Sequence, residues 1–397
     1  MLFSVDAHAI GRHLTGNEVY VRSLLDAFAA VDDKSEFVAY TSTPEASEAI
    51  PRRFSTRNAA RNPFARLGID LSRQLRRDRP ALIHVQYTAP LACPVPIVVS
   101  VHDVSFLEHP SYFSAARAFQ LQLTVKRTVA RAARVLTVSE FSRKAISRVY
   151  GLDEWDIAVV PNAAASLFRP LPYEAATAWV WRRFGIPPPF ILNVGDLQVR
   201  KNQAGLIRAF AEMVRACPRL SHRLVLVGKD GWQGQAVRRA ALEYGVGERI
   251  HFVGFVSDEE LLQLYNACEF FAFPSFYEGF GLPVVEAMAC GRPVACSNNS
   301  AVREVADAFA ILFDPQSSRE MTRAMLDLAL DPELRTRMGR LALQRSGHFS
   351  WRTAAEKTLQ IYHEVARVTA PVVVHRASTS ASNGSAGARS VVPWTAL

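Results

Sequence analysis

Two α/β domains, each with a doubly wound and mostly parallel sheet, are what this sequence predicts, and three observations carry the prediction. Short apolar runs of strand composition alternate with longer amphipathic runs, the βαβ pattern of parallel sheets. The alternation occurs twice, over 2–160 and again over 190–313, with a stretch rich in proline and aromatics at 162–189 between the two series. A chain of 397 residues has length for two cores, and 49% hydrophobic against 21% charged residues is a globular composition.

In the first series, residues 2–6 read as a strand and 11–16 as a loop. A helix over 17–30 follows, with Val21, Leu24, Leu25 and Phe28 on one face. The next strand is 37–42. Residues 52–79 hold nine arginines against two aspartates with few strand signals. They suit either a solvated helical surface with a loop or an electropositive rim near an acceptor, and both readings stay open. Strands at 81–85 and 96–101 come next, and the second runs into His102-Asp103, where open α/β sheets place their ligands. The run 111–134 reads as one helix carrying Tyr112, Phe113 and Phe119 among Arg117, Lys126, Arg127, Arg131 and Arg134. Such a helix packs on the sheet with its basic face in water, or lies on an anionic membrane. Strands at 135–138 and 157–160 complete the series, and 162–189 reads as the inter-domain connection.

The second series has strands at 190–194, 224–227, 250–253, 270–273, 293–296 and 310–313. The fourth leads into Glu278-Gly279-Phe280-Gly281-Leu282-Pro283-Val284-Val285-Glu286, and a short helix over 283–289 ends at Gly291. Proline suits a first helical position and glycine the place past the last turn. Strand, glycine loop and helix N-terminus together make an anion site. Gly279 and Gly281 lack Cβ, so a ligand could approach their backbone closely. Glu278 and Glu286 flank this cradle, and anion donors between two carboxylates suit a ligand with phosphate and neighbouring hydroxyls, a nucleotide sugar. Above the first strand of this series stands Gly195-Asp196-Leu197-Gln198-Val199-Arg200-Lys201-Asn202. Arg clamps two oxygens and Lys adds a point charge, which suits a diphosphate whose charge grows as it leaves.

The nine-residue string resembles the E-x7-E signature of retaining glycosyltransferases with the GT-B fold, in the family-four group that includes many mannosyl- and glucosyltransferases of surface polysaccharides. The resemblance implies that Glu278 meets the hydroxyls of the donor sugar and Glu286 those of the ribose. Gly195 to Asn202 resembles the family's G-x-x-x-x-R-K-N motif, which implies Arg200 and Lys201 on the donor diphosphate. Some relatives carry Arg directly after the glycine; Asp196 stands there in this chain, and that role is not carried over. Val101-His102-Asp103-Val104 resembles a motif whose His contacts the donor sugar, and Thr15 to Tyr20 resembles the first glycine loop, which puts Gly16 beside the diphosphate. Ser139-Glu140-Phe141-Ser142, Val227 to Trp232, the 252–256 strand end where relatives hold the base, Ser297-Asn298 and Arg303-Glu304-Val305 follow the family pattern. Many relatives have Gly where Asp307 stands. Phe349-Ser350-Trp351 resembles the start of a final helix that crosses back to the first domain.

The resemblance covers nearly all of 2–367 and is densest over 190–315. It implies an acceptor-side domain over 1–170, a nucleotide-sugar domain over 171–347 and a crossing-back helix over 348–368; residues 369–397, poor in core residues and rich in Ser, Ala and Gly, read as a disordered tail. It assigns catalysis to Glu278, Arg200, Lys201 and His102, and donor binding to Gly16, Gly195, Gly279, Phe280, Gly281, Leu282 and Glu286.

The activity expected is retaining transfer of a hexose to a lipid-linked saccharide acceptor, with GDP-mannose favoured as donor by resemblance and UDP-hexoses as the alternative. Neither cofactor nor metal is expected, because the chain has no Asp-x-Asp and the two cations would carry the diphosphate charge. In the mechanism proposed for such enzymes the departing phosphate takes the acceptor proton, so Glu278 and Glu286 are not a glycosidase acid/base pair. A formal charge of +9 suits a phosphorylated substrate and an anionic membrane surface, and nucleic acid is not expected. Five cysteines (Cys93, Cys217, Cys268, Cys290, Cys296) without C-x-x-C spacing suit buried thiols in a reducing compartment. Met1 to Asp6 has no basic n-region, and the charge-free run 80–102 is broken by four prolines. The expectation is a cytoplasmic protein, peripheral on the inner face of the cell membrane. An NAD-dependent dehydrogenase would need the third glycine of G-x-G-x-x-G, which Gly279-Phe280-Gly281 lacks. A solute-binding protein would need a signal peptide. A sugar-nucleotide epimerase and a catalytically dead relative stay open.

Overall fold

The computed structural model describes residues 1–12, 16–231 and 234–369. Of the expected disordered tail over 369–397, Thr369 ends the last helix instead; the rest of it, and the motif positions Thr15 and Trp232, lie outside them. Seven parallel strands build the first sheet: β1 Leu2–Asp6, β2 Glu36–Thr41, β3 Ser55–Asn58, β4 Ile83–Gln86, β5 Ile97–Ser100, β6 Arg134–Thr137 and β7 Ile157–Val159, in the order β3-β2-β1-β4-β5-β6-β7. Six more build the second: β8 Phe190–Val194, β9 Arg223–Val227, β10 Ile250–Gly254, β11 Phe270–Phe273, β12 Val294–Ser297 and β13 Ile311–Phe313, in the order β10-β9-β8-β11-β12-β13. In each sheet the chain starts in the middle, runs outward and then reverses. The connections diverge at that reversal and leave a crevice above the carboxyl ends of β1 and β4, and of β8 and β11. Strands covered on both faces must be apolar throughout, which is why Phe270–Phe273 is buried at every position.

Where the structure departs from the sequence reading, the cause is local. Strand β3 (Ser-Thr-Arg-Asn) sits at a sheet edge and is mostly exposed, so it carries no apolar run to detect. The run 111–134 is not one helix: Pro110–Tyr112 forms a tight turn and a helix covers Ala115–Val129, started by Ser114 Oγ accepting from the Arg117 N–H. Its buried residues are Ala118, Val125, Thr128 and Val129, and Phe119 faces outward. Eight of the nine arginines in 52–79 are exposed, whereas Arg66 is buried beside Asp6. The inter-domain connection is shorter than 162–189, because Tyr173–Phe184 is a helix that packs on the helix Asp258–Ala267 through Ala176 and Val180.

The last helix, Trp351–Thr369, returns to the first domain and packs on Gly16–Val31. Tyr362 lies edge-on to Phe3 at 5.1 Å, in the core shared with Phe28 and Phe37. Its hydroxyl starts a buried polar chain: Tyr362 Oη to His84 Nδ1 (2.5 Å), His84 Nε2 to Ser100 Oγ (2.7 Å), Ser100 Oγ to Tyr20 Oη (2.7 Å). Burial pushes His84 down to about 3, so it is neutral and can donate at one nitrogen and accept at the other.

Candidate active site

A cavity of about 450 Å³ lies between the domains, above the carboxyl ends of β8 and β11 and opposite those of β4 and β5. All eleven residues singled out from the sequence line it: Glu278, Arg200, Lys201, His102, Gly16, Gly195, Gly279, Phe280, Gly281, Leu282 and Glu286. Most stand beyond a strand end or at a helix start, with Glu286 one turn into the helix Leu282–Ala289, so the crevice topology brings together positions far apart in the chain.

Its charged centre is a three-residue cluster. Glu278 holds Lys201 Nζ at 2.6 Å from Oε1 and Arg200 Nη1 at 3.0 Å from Oε2, and that guanidinium also donates to the Tyr277 carbonyl at 2.7 Å. Gly195 has φ +150°, and the Lys201 stem lies 3.4 Å from where its Cβ would stand, so glycine leaves the lane the lysine occupies. Burial would raise the Glu278 carboxyl, but the two cations outweigh burial and bring it down to about 2. Burial lowers Lys201, with Glu278 offsetting part of the effect. Within the cluster two cations meet one carboxylate, a local surplus of positive charge that Asp103 near Arg200 and Asp196 near Lys201 temper, and that surplus is what an anion would meet there.

Glu286 is a different carboxylate. It is 6% exposed, and its Oε2 accepts from the Tyr265 hydroxyl at 2.9 Å. Burial pushes it up to about 7, with the Tyr265 bond offsetting part of the rise. His102 is pushed down to about 4 by burial, with Asp103 countering, and is therefore neutral at pH 7. Its Nε2 lies 3.1 Å from Gln86 Oε1, and its ring stands edge-to-face with Tyr20 at 4.6 Å and with Tyr87 at 5.5 Å. Tyr87 itself has φ +60°, an uncommon conformation for a bulky side chain, at the end of β4 in the first domain's crevice.

The two glycines of the signature serve different needs. Gly281 has φ +97° and starts the helix Leu282–Ala289, a conformation that L side chains rarely adopt. Gly279 makes room for the other domain: a Cβ there would overlap the His102 carbonyl oxygen and lie 3.0 Å from Asp103 Cβ. The side where a Cβ would stand is therefore filled by the first domain, while Gly279 itself lines the cavity. Asp196 Oδ1 accepts from the Lys229 N–H at 3.2 Å and braces the loops after β8 and β9. Asp307 has φ +45°, so it holds the turn in a conformation that glycine adopts more readily.

Sequence reasoning gave no role to Tyr87, which lines the cavity, or to Tyr265, Gln86 and Tyr20, which stand behind its wall against Glu286 and His102, because each is an ordinary apolar-face or strand-end residue until the fold supplies its partner. A Tyr one turn inside the helix Asp258–Ala267 gives no signal of a partner at Glu286, 21 residues on. Among the described residues, no group of three or more His, Cys, Asp or Glu is placed to hold a metal ion, and no helix is long and apolar enough to cross a membrane.

Two family models match the chain: Glycosyl transferases group 1 over 183–345 and Glycosyltransferase Family 4 over 14–164. The O-antigen chain mannosyltransferase B of Escherichia coli is 31% identical over 272 residues, 67% of this chain and 69% of that protein. Among solved structures, the sucrose-phosphate synthase of Thermosynechococcus elongatus superposes with a TM-score of 0.75 at 21% identity, over 93% of this chain and 99% of its own. The HepE protein of Anabaena, solved in complex with UDP-glucose, superposes with a TM-score of 0.72 at 20% identity, over 91% of this chain and 99% of its own.

Proposed function

This chain belongs to the family-four glycosyltransferases of GT-B fold, and from that premise we propose that it is a retaining, metal-independent mannosyltransferase that uses GDP-mannose to extend a lipid-linked surface polysaccharide. The observation that carries the reading is the Lys201–Glu278–Arg200 cluster beside Glu286 in one interdomain cavity. In this reading the donor diphosphate lies on Arg200 and Lys201, the ribose hydroxyls on Glu286, and the sugar between Glu278 and the neutral His102. The acceptor enters on the first-domain side, past Tyr87 and Phe113. The bond from C1 to the diphosphate oxygen breaks, the acceptor oxygen bonds C1 on the same face, and the acceptor proton passes to the departing phosphate oxygen. The net cation charge offsets the charge growing on that phosphate, with no bridging metal required. Mannose, GDP and the polysaccharide acceptor rest on the likeness to the O-antigen chain mannosyltransferase.

A membrane-facing site of action fits the same reading. Phe64, Ile69, Leu91, Phe119 and Leu123 are all more than half exposed on the first domain. Leu91 joins the segments that carry them: its N–H donates to the Leu67 carbonyl at 2.8 Å and its carbonyl accepts from Arg131 at 2.9 Å. Exposed Arg61, Arg73, Arg117 and Lys126 lie among these apolar side chains in sequence. Apolar groups with interspersed cations suit an anionic bilayer, here the inner face of the cell membrane.

Thermal shift with GDP, UDP and ADP, followed by transfer or hydrolysis of the matching sugar nucleotide, tests the donor. The expected result is a shift with GDP and turnover of GDP-mannose with the α configuration kept in the product. A shift with UDP alone moves the assignment to a UDP-hexose, and binding without turnover of any sugar nucleotide identifies a catalytically dead relative.

A further inference from the structure

A carboxylate of the second domain caps a helix of the first. Glu304, on the helix Ser300–Ala306, accepts from the Glu140 N–H on Oε1 and from the Phe141 N–H on Oε2, both at 2.9 Å. These residues begin the helix Glu140–Tyr150. The first N–H groups of a helix have no partner within it and carry its positive dipole end, so one bidentate carboxylate satisfies two of them and meets the dipole. Glu304 is itself on a braced segment, because Arg345 donates to the carbonyls of Glu304 (2.8 Å) and Val305 (2.9 Å). The capped turn then reaches the cavity wall. Ser139 Oγ donates to the Gly279 carbonyl at 2.8 Å, and the Ser142 hydroxyl lies 2.8 Å from the His102 carbonyl and 3.3 Å from that of Gly279.

We propose that Glu304 is a positioning residue that sets the approach of the two domains and so brings His102 over the donor loop at Gly279. It does not line the cavity and acts through the Glu140–Tyr150 helix. Glu304 does not act alone: the Arg22–Asp258 ion pair at 2.5 Å and the Tyr277 hydroxyl donating to Glu108 at 2.8 Å also span the domains, so loss of the cap should loosen their approach without parting them. Because Glu304 is exposed, added salt weakens its hold. Only the kinetic arm of the test rests on the transferase reading.

The test compares Glu304→Ala and Glu304→Gln with wild type at low salt, using small-angle scattering, calorimetry with whichever of GDP and UDP wild type binds, and transfer kinetics. Arg303→Ala, an exposed neighbour, is the surface control. Glu304→Ala should enlarge the radius of gyration, lower kcat about tenfold and leave nucleotide Kd within about twofold, since Arg200, Lys201 and Glu286 all belong to the second domain. Glu304→Gln, which keeps one acceptor oxygen, should fall between. An unchanged radius of gyration in Glu304→Ala overturns the proposal, as does a loss of nucleotide affinity that parallels the loss of kcat. If wild type transfers no sugar, the transferase reading fails while scattering still decides the role of Glu304.

Discussion

Lys201 and Glu278 form a close ion pair at the centre of the cavity, with Nζ 2.6 Å from Oε1, although 77 positions separate them in the chain. The lysine has two tasks in this geometry: it neutralises the carboxylate and leaves Arg200 with charge to spare for an anion. Lys201→Ala should lower transfer kcat/KM by about 10²-fold, with no rescue by added Mg²⁺. Glu278→Gln leaves both cations unpaired, so nucleoside diphosphate should bind at least about threefold tighter while transfer falls by about 10²-fold. Calorimetry beside a transfer assay reads both, and a parallel loss of binding in Glu278→Gln would move this glutamate from the sugar to the nucleotide.

Glu286 supplies a pH signature. Burial raises it from the ordinary 4.5 to about 7, so the empty protein favours the protonated form, and between those values stability falls as pH rises. If the ribose sits on Glu286 as proposed, its hydroxyls are better donors to the carboxylate than to the acid, so binding should release the proton. Affinity for an intact sugar nucleotide should therefore climb between pH 6 and 8, by up to about tenfold per unit below pH 7, and level off above. The sugar nucleotide has no phosphate proton to lose in that range. In Glu286→Gln the affinity should be lower and the pH profile flat; a wild-type slope that persists in the variant refutes the assignment.

Gly279→Ala should separate binding from transfer. The new methyl would meet the His102 carbonyl across the cleft, a backbone atom that cannot swing aside. We expect nucleotide affinity near wild type and transfer reduced at least about tenfold, because the two halves of the cavity no longer meet. Equal losses in both would mean that the loop itself has been distorted.

Stability should register the polar chain behind His102. Tyr362→Phe leaves His84 Nδ1 without its buried partner, and an unmet buried polar group costs about 1–3 kcal/mol. Urea denaturation at pH 7 should show a loss in that range, and a change below about 0.5 kcal/mol would show that the site rehydrates freely.

Vesicle binding tests the membrane face. Replacing Phe119 and Leu123 by Ser removes apolar surface without changing charge, and replacing Lys126, Arg127 and Arg131 by Gln removes charge without apolar surface. Both sets should weaken sedimentation with anionic vesicles, and only the second should flatten its salt dependence. Equal binding of wild type to neutral and anionic vesicles would leave the patch as a solvated surface.

Local chemistry was legible in the sequence. The strands of both sheets could be read because residues covered on two faces leave continuous apolar runs, and β3 escaped because an edge strand does not. The Glu278–Glu286 spacing, the glycines between and Pro283 could be read because a strand, a loop and a helix start are encoded within a few residues. Partners could not be read, since a side chain's partner depends on which strand ends the topology gathers at one crevice. Lys201 with Glu278, Tyr265 with Glu286, the His102 carbonyl against Gly279 and Glu304 on the Glu140–Tyr150 helix all join segments that no local pattern connects. Those contacts set the charge state of each carboxylate, about 2 for one and about 7 for the other, because burial acts on both while only Glu278 has cations within reach.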